Sequence, residues 1–195
     1  MLDKIINKST DYLISSEVID EDDRDIYEYG FHMLYSNILI IIFVAVIALY
    51  FSMVLQTIVY HITFILLRSV CGGYHASTQQ KCFIISFTVF VLSLFGIAII
   101  SSFWIAMFFS LMSVLLIWFK APIENENRPL SEDEREKMKI SGRIMATVLI
   151  IVALITYILF KEIYNWFSIS ILFGMITHAF LFVIALLLES RKIKL

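Results

Sequence analysis

The chain has 195 residues, 60% of them hydrophobic, with 15 basic and 17 acidic side chains and a formal charge of -2 at pH 7. That apolar share exceeds what soluble domains carry, and so short a chain cannot enclose it all in a water-soluble core, so the bilayer is the expected solvent. The near-zero charge argues against a nucleic-acid partner, two cysteines make no disulfide framework, and the first strongly apolar run follows an acidic segment, unlike a signal peptide.

Residues 1–30 form a piece of their own. Leu2, Ile5, Ile6, Tyr12 and Leu13 recur at helical spacing with Lys4, Lys8 and Asp11 on other faces, which predicts a helix lying in the membrane interface. Asp20 to Glu28 is strongly acidic and predicts a second short helix with acidic residues in its first turn. This segment is either a solvated terminus or a docking surface, and charge patterning does not separate the two.

Beyond it, residues 29–67, 82–119, 144–160 and 163–188 contain no Asp, Glu, Lys or Arg. A spanning helix needs about 20 apolar residues. The first two stretches are long enough for helical hairpins with tips near Ser52 and Ser101-Ser102, and the last two hold one helix each, separated by Lys161-Glu162. The fold expected is therefore all-α: a polytopic membrane protein with about six transmembrane helices and an N-terminal interfacial helix, built as a single integral-membrane domain over 1–195. The predicted spans are 32–50, 53–68, 82–99, 103–120, 143–160 and 168–188, and a four-span variant is the alternative. With the N-terminus inside, fourteen of the fifteen basic residues fall on the inner side, Lys161 being the exception. The positive-inside rule then places both termini, the loop at 68–81 and the loop at 120–142 in the cytoplasm.

In the 120–142 loop, Pro122 and Pro129 break helix, and Ser131-Glu132-Asp133-Glu134 is a helix start, so a turn should lead into a charged helix that feeds span five.

The segment from Arg68 to Cys82 is the chemically distinctive one. His75 and Cys82 are seven residues apart, the minimum equipment for thiolate catalysis. On one continuous helix they would lie about 10 Å apart along the axis and could not meet, so the chain must bend between them. Gly72-Gly73 permits the bend. Ser77-Thr78-Gln79-Gln80 fits a capping box that would start span three at Ser77 and set Cys82 just over one turn into the helix. There the helix N-terminus, Lys81 and an imidazole would lower the thiol pKa. His75 would take the thiol proton and later protonate a leaving amine. No acidic residue stands near to orient the imidazole, which favours a dyad; Tyr74, Gln79 or Gln80 are the candidates for a third group. On a prior for lone cysteines alone, Cys82 would more often be a small buried hydrophobe than a nucleophile. Cys71, at a helix C-terminus, ranks below it. His61 and His178 lie inside spans, where a neutral imidazole bonded to a neighbouring helix is the common explanation. The spacing C-x3-H-x6-C matches no standard structural zinc site, so no metal and no cofactor are expected.

Three stretches together resemble the AgrB family of accessory gene regulator membrane proteins: Arg68-x3-Gly72-Gly73-Tyr74-His75-Ala76-x5-Cys82, Ala121-Pro122-Ile123-Glu124-Asn125-Glu126-Asn127-Arg128-Pro129-Leu130, and Asp25-Ile26-Tyr27-Glu28-Tyr29-Gly30. The resemblance covers nearly the whole chain in the same order, and the positions matching the family dyad are His75 and Cys82. It implies a cysteine endopeptidase in the membrane of a bacterium, Gram-positive by that likeness. Such an enzyme cleaves the acidic tail from an AgrD-like quorum-sensing propeptide, holds the remainder as a thioester, and releases it as a thiolactone or lactone ring. It also implies a homodimer. Arg68 and Lys81 would then hold the acidic tail, with Gln79 and Gln80 beside the substrate. The competing readings are a peptide transporter or exporter and a non-catalytic membrane scaffold. The charge-free spans show no coupling-ion pathway that would favour transport.

Overall fold

The computed structural model describes residues 2–74, 79–100, 102–124 and 130–192, with the side chains of residues 2–3, 33, 36–37, 79–80, 82–83 and 189–192 outside the description. The described residues form helices and no strand: α1 (Leu2–Ser15), a 3-10 turn (Glu21–Asp23), α2 (Arg24–Tyr50), α3 (Val54–Cys71), α4 (Gln79–Ile99), α5 (Phe103–Lys120) and α6 (Glu132–Lys192). Every one of the six predicted apolar segments is helical. Three of the described helices, α3, α5 and α6, are long and apolar enough to cross a membrane by length and composition. Shorter apolar stretches run over Ile38–Tyr50 and Ile84–Ile99. The chain clusters into two compact units, one made of residues 1–51 and 76–88, the other of 52–75 and 89–195.

In the first unit, α1 is the amphipathic helix its spacing predicts. Ile6 and Thr10 are buried, Tyr12 is exposed, and the Ser9 and Tyr35 hydroxyls are hydrogen-bonded at 3.1 Å. Arg24 meets Asp11 at 2.9 Å, Glu21 at 2.6 Å and Glu28 at 3.2 Å, so one carboxylate of α1 and two of the acidic segment converge on one guanidinium. Exposed pairs of this kind contribute little each, but they join α1 to the start of α2. The second short helix expected here is instead a single 3-10 turn followed by a helix unbroken to Tyr50. The stretch holds no proline, and one glycine inside a helix costs only about 1 kcal/mol.

The second unit is built on α6, which packs against both α3 and α5. Phe160 and Tyr164 leave helical geometry on either side of Lys161-Glu162. The Thr156 and Ser168 hydroxyls nevertheless lie 2.8 Å apart. Twelve residues of straight helix would separate them by about 18 Å, so the chain reverses there and α6 is a hairpin of two arms, in the place the charged pair predicted. The breaks at Ser52 (φ 55) and at Ser102, extended ahead of α5, also fall where hairpin tips were expected. At the start of α6, the Glu134 N–H donates to Ser131 Oγ at 3.3 Å and the Ser131 N–H donates to Glu134 Oε2 at 3.0 Å, the reciprocal capping box of the predicted helix start.

Small residues let these helices approach closely, as is common where lipid replaces water and tight packing drives association. A Cβ on Gly174 would come within 2.7 Å of Thr63 Cβ and 3.0 Å of the Tyr60 carbonyl oxygen, and one on Gly142 within 2.9 Å of Cys71 Sγ. Buried hydroxyls also bond between helices: Tyr60 to Ser93 at 3.2 Å, Ser93 to Thr177 at 2.8 Å, and Ser110 to the Leu172 carbonyl at 3.1 Å. Gly174→Val should therefore force α3 and α6 apart and cost about 1–3 kcal/mol or more. The measurement is the thermal midpoint of the detergent-solubilised protein, and a midpoint equal to the parent's would refute the close packing.

Candidate active site

Helix α3 ends because its last residues cannot continue the turn. The Gly72 N–H still donates to the Arg68 carbonyl at 3.1 Å, but Gly72 itself stands at φ 72, ψ -155 and Gly73 at φ 147. The first of these pairs is essentially closed to any residue with a Cβ. A Cβ on Gly72 would also press into the backbone oxygen of Ile123. The chain thus leaves helical geometry at the Gly72-Gly73 pair, ahead of His75.

Three carbonyls across this bend are each taken by a different part of the unit. The Cys71 carbonyl accepts from the Ile123 N–H at 3.0 Å, the Gly72 carbonyl lies 3.2 Å from His178 Nε2, and the Tyr74 carbonyl accepts from Arg68 Nη2 at 2.7 Å. Orphan carbonyls at a helix end need such partners when they are buried. Two of the three stretches that carry the family resemblance, fifty residues apart in the chain, thus meet at Cys71 and Ile123. Beyond Ile123, Glu124 is paired with Arg135 of α6 at 2.6 Å. Arg143 donates twice to the Trp118 carbonyl, at 3.2 and 2.8 Å, and stands 5.2 Å over the indole. The last turn of α5 and the residues just after it are therefore tied to α6.

Of the residues predicted for catalysis, the structure describes only part. His75 and Ser77 lie outside the described residues. Cys82 is the fourth residue of α4 as described, in its opening turn, with its side chain outside the description. Gln79 and Gln80 precede it in that turn, and Lys81 is exposed. Gly72, Gly73 and Arg68 are brought together at the end of α3, with Arg68 spending at least one donor on the loop backbone. Cys71 is fully buried and pressed against Gly142, so its sulfur behaves as a small core hydrophobe and cannot reach a peptide carbonyl without repacking two helices. His61 donates from Nδ1 to the Thr57 carbonyl of its own helix at 3.0 Å. The residues that sequence reasoning left without a place at the loop are Ile123 and His178. An ionisable side chain inside a span was the one signal for His178, and a main-chain contact such as that of Ile123 leaves no signal at all.

The chain is similar to proteins named only for their likeness to AgrB. One from Listeria innocua serovar 6a is 30% identical over 173 residues, which is 87% of this chain and 84% of the relative. One from Clostridium perfringens strain SM101 is 26% identical over 174 residues, 83% of this chain and 78% of the relative. A second clostridial protein, from strain 13, is 27% identical over 159 residues, 75% of this chain and 73% of the relative. No solved structure matches the chain at a significant level. The model of the family described as Accessory gene regulator B matches residues 6–187. With its long apolar helices and a match over nearly its full length, this membrane protein belongs to the accessory gene regulator B family.

Proposed function

We propose that the protein is a membrane cysteine endopeptidase that cuts the C-terminal tail from an AgrD-like quorum-sensing propeptide and closes the remainder into a ring. The observation that carries the reading is the position of Cys82 in the opening turn of α4, ten residues past the glycine-only backbone that ends α3. A thiol in that turn gains from the positive end of the helix dipole, and first-turn N–H groups are of the kind suited to an oxyanion.

The reaction follows from the two side chains. His75 takes the proton from Cys82 Sγ, and the thiolate attacks the scissile carbonyl carbon. The C–N bond breaks as the imidazolium returns its proton to the leaving amine of the tail, and the leader and ring segment remain on the enzyme as a thioester. An internal thiol or hydroxyl of the peptide then displaces Cys82, forming a thiolactone or lactone and restoring the enzyme thiol. No net water is consumed, so a site at the edge of the bilayer that disfavours water protects the acyl-enzyme until the internal nucleophile arrives. Arg68 and Lys81 supply positive charge for an acidic tail. The reading includes a homodimer in the bacterial cell membrane, with the loop and both termini facing the cytoplasm.

The test is co-expression with a propeptide bearing an amphipathic leader and an acidic tail, followed by mass spectrometry. The expected products are the free tail and a cyclic peptide one water lighter than the linear cleaved form; an intact propeptide would defeat the reading. In parallel, iodoacetamide should alkylate Cys82 far faster than the buried Cys71, with a rate that follows an ionisation below about 8. Labelling confined to Cys71, or a rate flat with pH, would count against a thiolate nucleophile.

A further inference from the structure

We infer that His178 is a positioning residue for the loop that carries His75, acting through the carbonyl of Gly72; the inference rests on the peptidase reading above. His178 is 1% exposed, on the second arm of α6, with its ring centroid 6.4 Å from that of Phe64 and 5.7 Å from that of Phe182. Its Nε2 lies 3.2 Å from the Gly72 oxygen, across 106 residues of chain. A carbonyl only accepts, so Nε2 carries the proton in this contact. Among the described residues Nδ1 has no hydrogen-bond partner.

This is a costly way to fill a core. An imidazole buried with one nitrogen unsatisfied gives up solvation that Leu or Phe would not have to lose. Packing therefore does not account for the choice of residue, whereas the contact does. Gly72 has backbone angles that little besides glycine adopts, and glycine is also the residue freest to leave them. A donor on the Gly72 oxygen selects one orientation of the Gly72–Gly73 peptide plane. That plane sets the direction in which the chain departs toward His75, three residues on. Ile123 fixes the carbonyl before it and Arg68 the carbonyl of Tyr74 after it, so His178 is the middle of three clamps. Proton transfer and attack are sensitive to misplacement of about 1 Å, and releasing the middle clamp loosens the segment that carries the base.

Two polar replacements separate reach from mere occupancy. The side-chain amide nitrogen of Gln stands near where Nε2 stands in His, whereas that of Asn falls a bond short. His178→Asn is expected to lower kcat for tail release about 10- to 100-fold with KM within about twofold of the parent. It should also raise amide hydrogen exchange at residues 72–74, with a fall in thermal midpoint, from the stranded Gly72 carbonyl, too small to account for the loss of kcat. His178→Gln is expected to stay within about threefold of the parent in kcat, with parent-like exchange. Parent-like kcat and exchange in the Asn variant would overturn the inference. So would a Gln variant as inactive as the Asn one, because the imidazole itself would then be required, or a loss of activity wholly matched by a fall in thermal midpoint. Failure of the peptidase reading looks different: the parent leaves the propeptide intact, while exchange at 72–74 still separates Asn from Gln.

Discussion

Cys82→Ala is expected to reduce tail release to the background rate, a loss of about 10⁴- to 10⁶-fold for a covalent nucleophile. His75→Ala should lose nearly as much, and the double variant should be no worse than the poorer single one. The reason is that nucleophile and base act as one unit: without the base the thiol stays protonated, and without the sulfur the base has nothing to activate. Cys71→Ala is the matched control. Its sulfur is buried against Gly142, so its removal should leave kcat near the parent value. The measurement is the rate of tail release at matched protein levels in membranes. Losses in Cys82→Ala and His75→Ala that multiply in the double variant would show two independent contributions and break the dyad, and persistent cleavage in either single variant would remove that residue from the mechanism.

Gly72→Ala should have the second largest effect. At φ 72, ψ -155 an alanine is strained by about 1–3 kcal/mol, and its Cβ would press on a backbone oxygen of Ile123, which no side-chain rotation can relieve. The loop must therefore move, carrying the Cys71–Ile123 and His178–Gly72 contacts with it. Tail release is expected to fall by about 100-fold, with the thermal midpoint lowered as well. Gly73→Ala should be milder in contact terms, because the nearest atom to its Cβ is Arg68 Nη1 at 3.2 Å, the far end of a long side chain, although φ 147 still adds strain. Gly30→Ala is the opposite case. It lies inside α2 with nothing within 4 Å of its Cβ, so the substitution should be neutral or stabilising by about 0.5–1 kcal/mol. Equal kcat for the Gly72 and Gly30 variants would mean that the bend has no part in the chemistry.

Several features were legible without coordinates because they rest on local rules. Charge-free runs punctuated by Lys161-Glu162 and by serines mark where helices start and stop, and the reversal between Thr156 and Ser168 falls where the charged pair stands. Ser131 and Glu134 form the capping box that their spacing predicts. The end of α3 at a glycine pair was legible for the same reason: only glycine takes the angles found there. The acidic stretch was read less well. Its helix continues into the apolar segment, because charge marks where a helix can begin but carries no information on where it ends when no breaker follows.

By itself, the amino-acid order determined that this is an all-helical membrane protein, that a glycine pair ends the helix before His75, and which family it resembles. All of these follow from interactions over a few residues or from the cost of placing charge in lipid. Only the tertiary structure decided that Ile123 and His178 close on the bend from 52 and 106 residues away, and that Cys71 is sealed against Gly142. Those contacts depend on how helices pack, through main-chain groups and close approaches that no spacing encodes, because every residue carries the same carbonyl and the same N–H whatever its side chain.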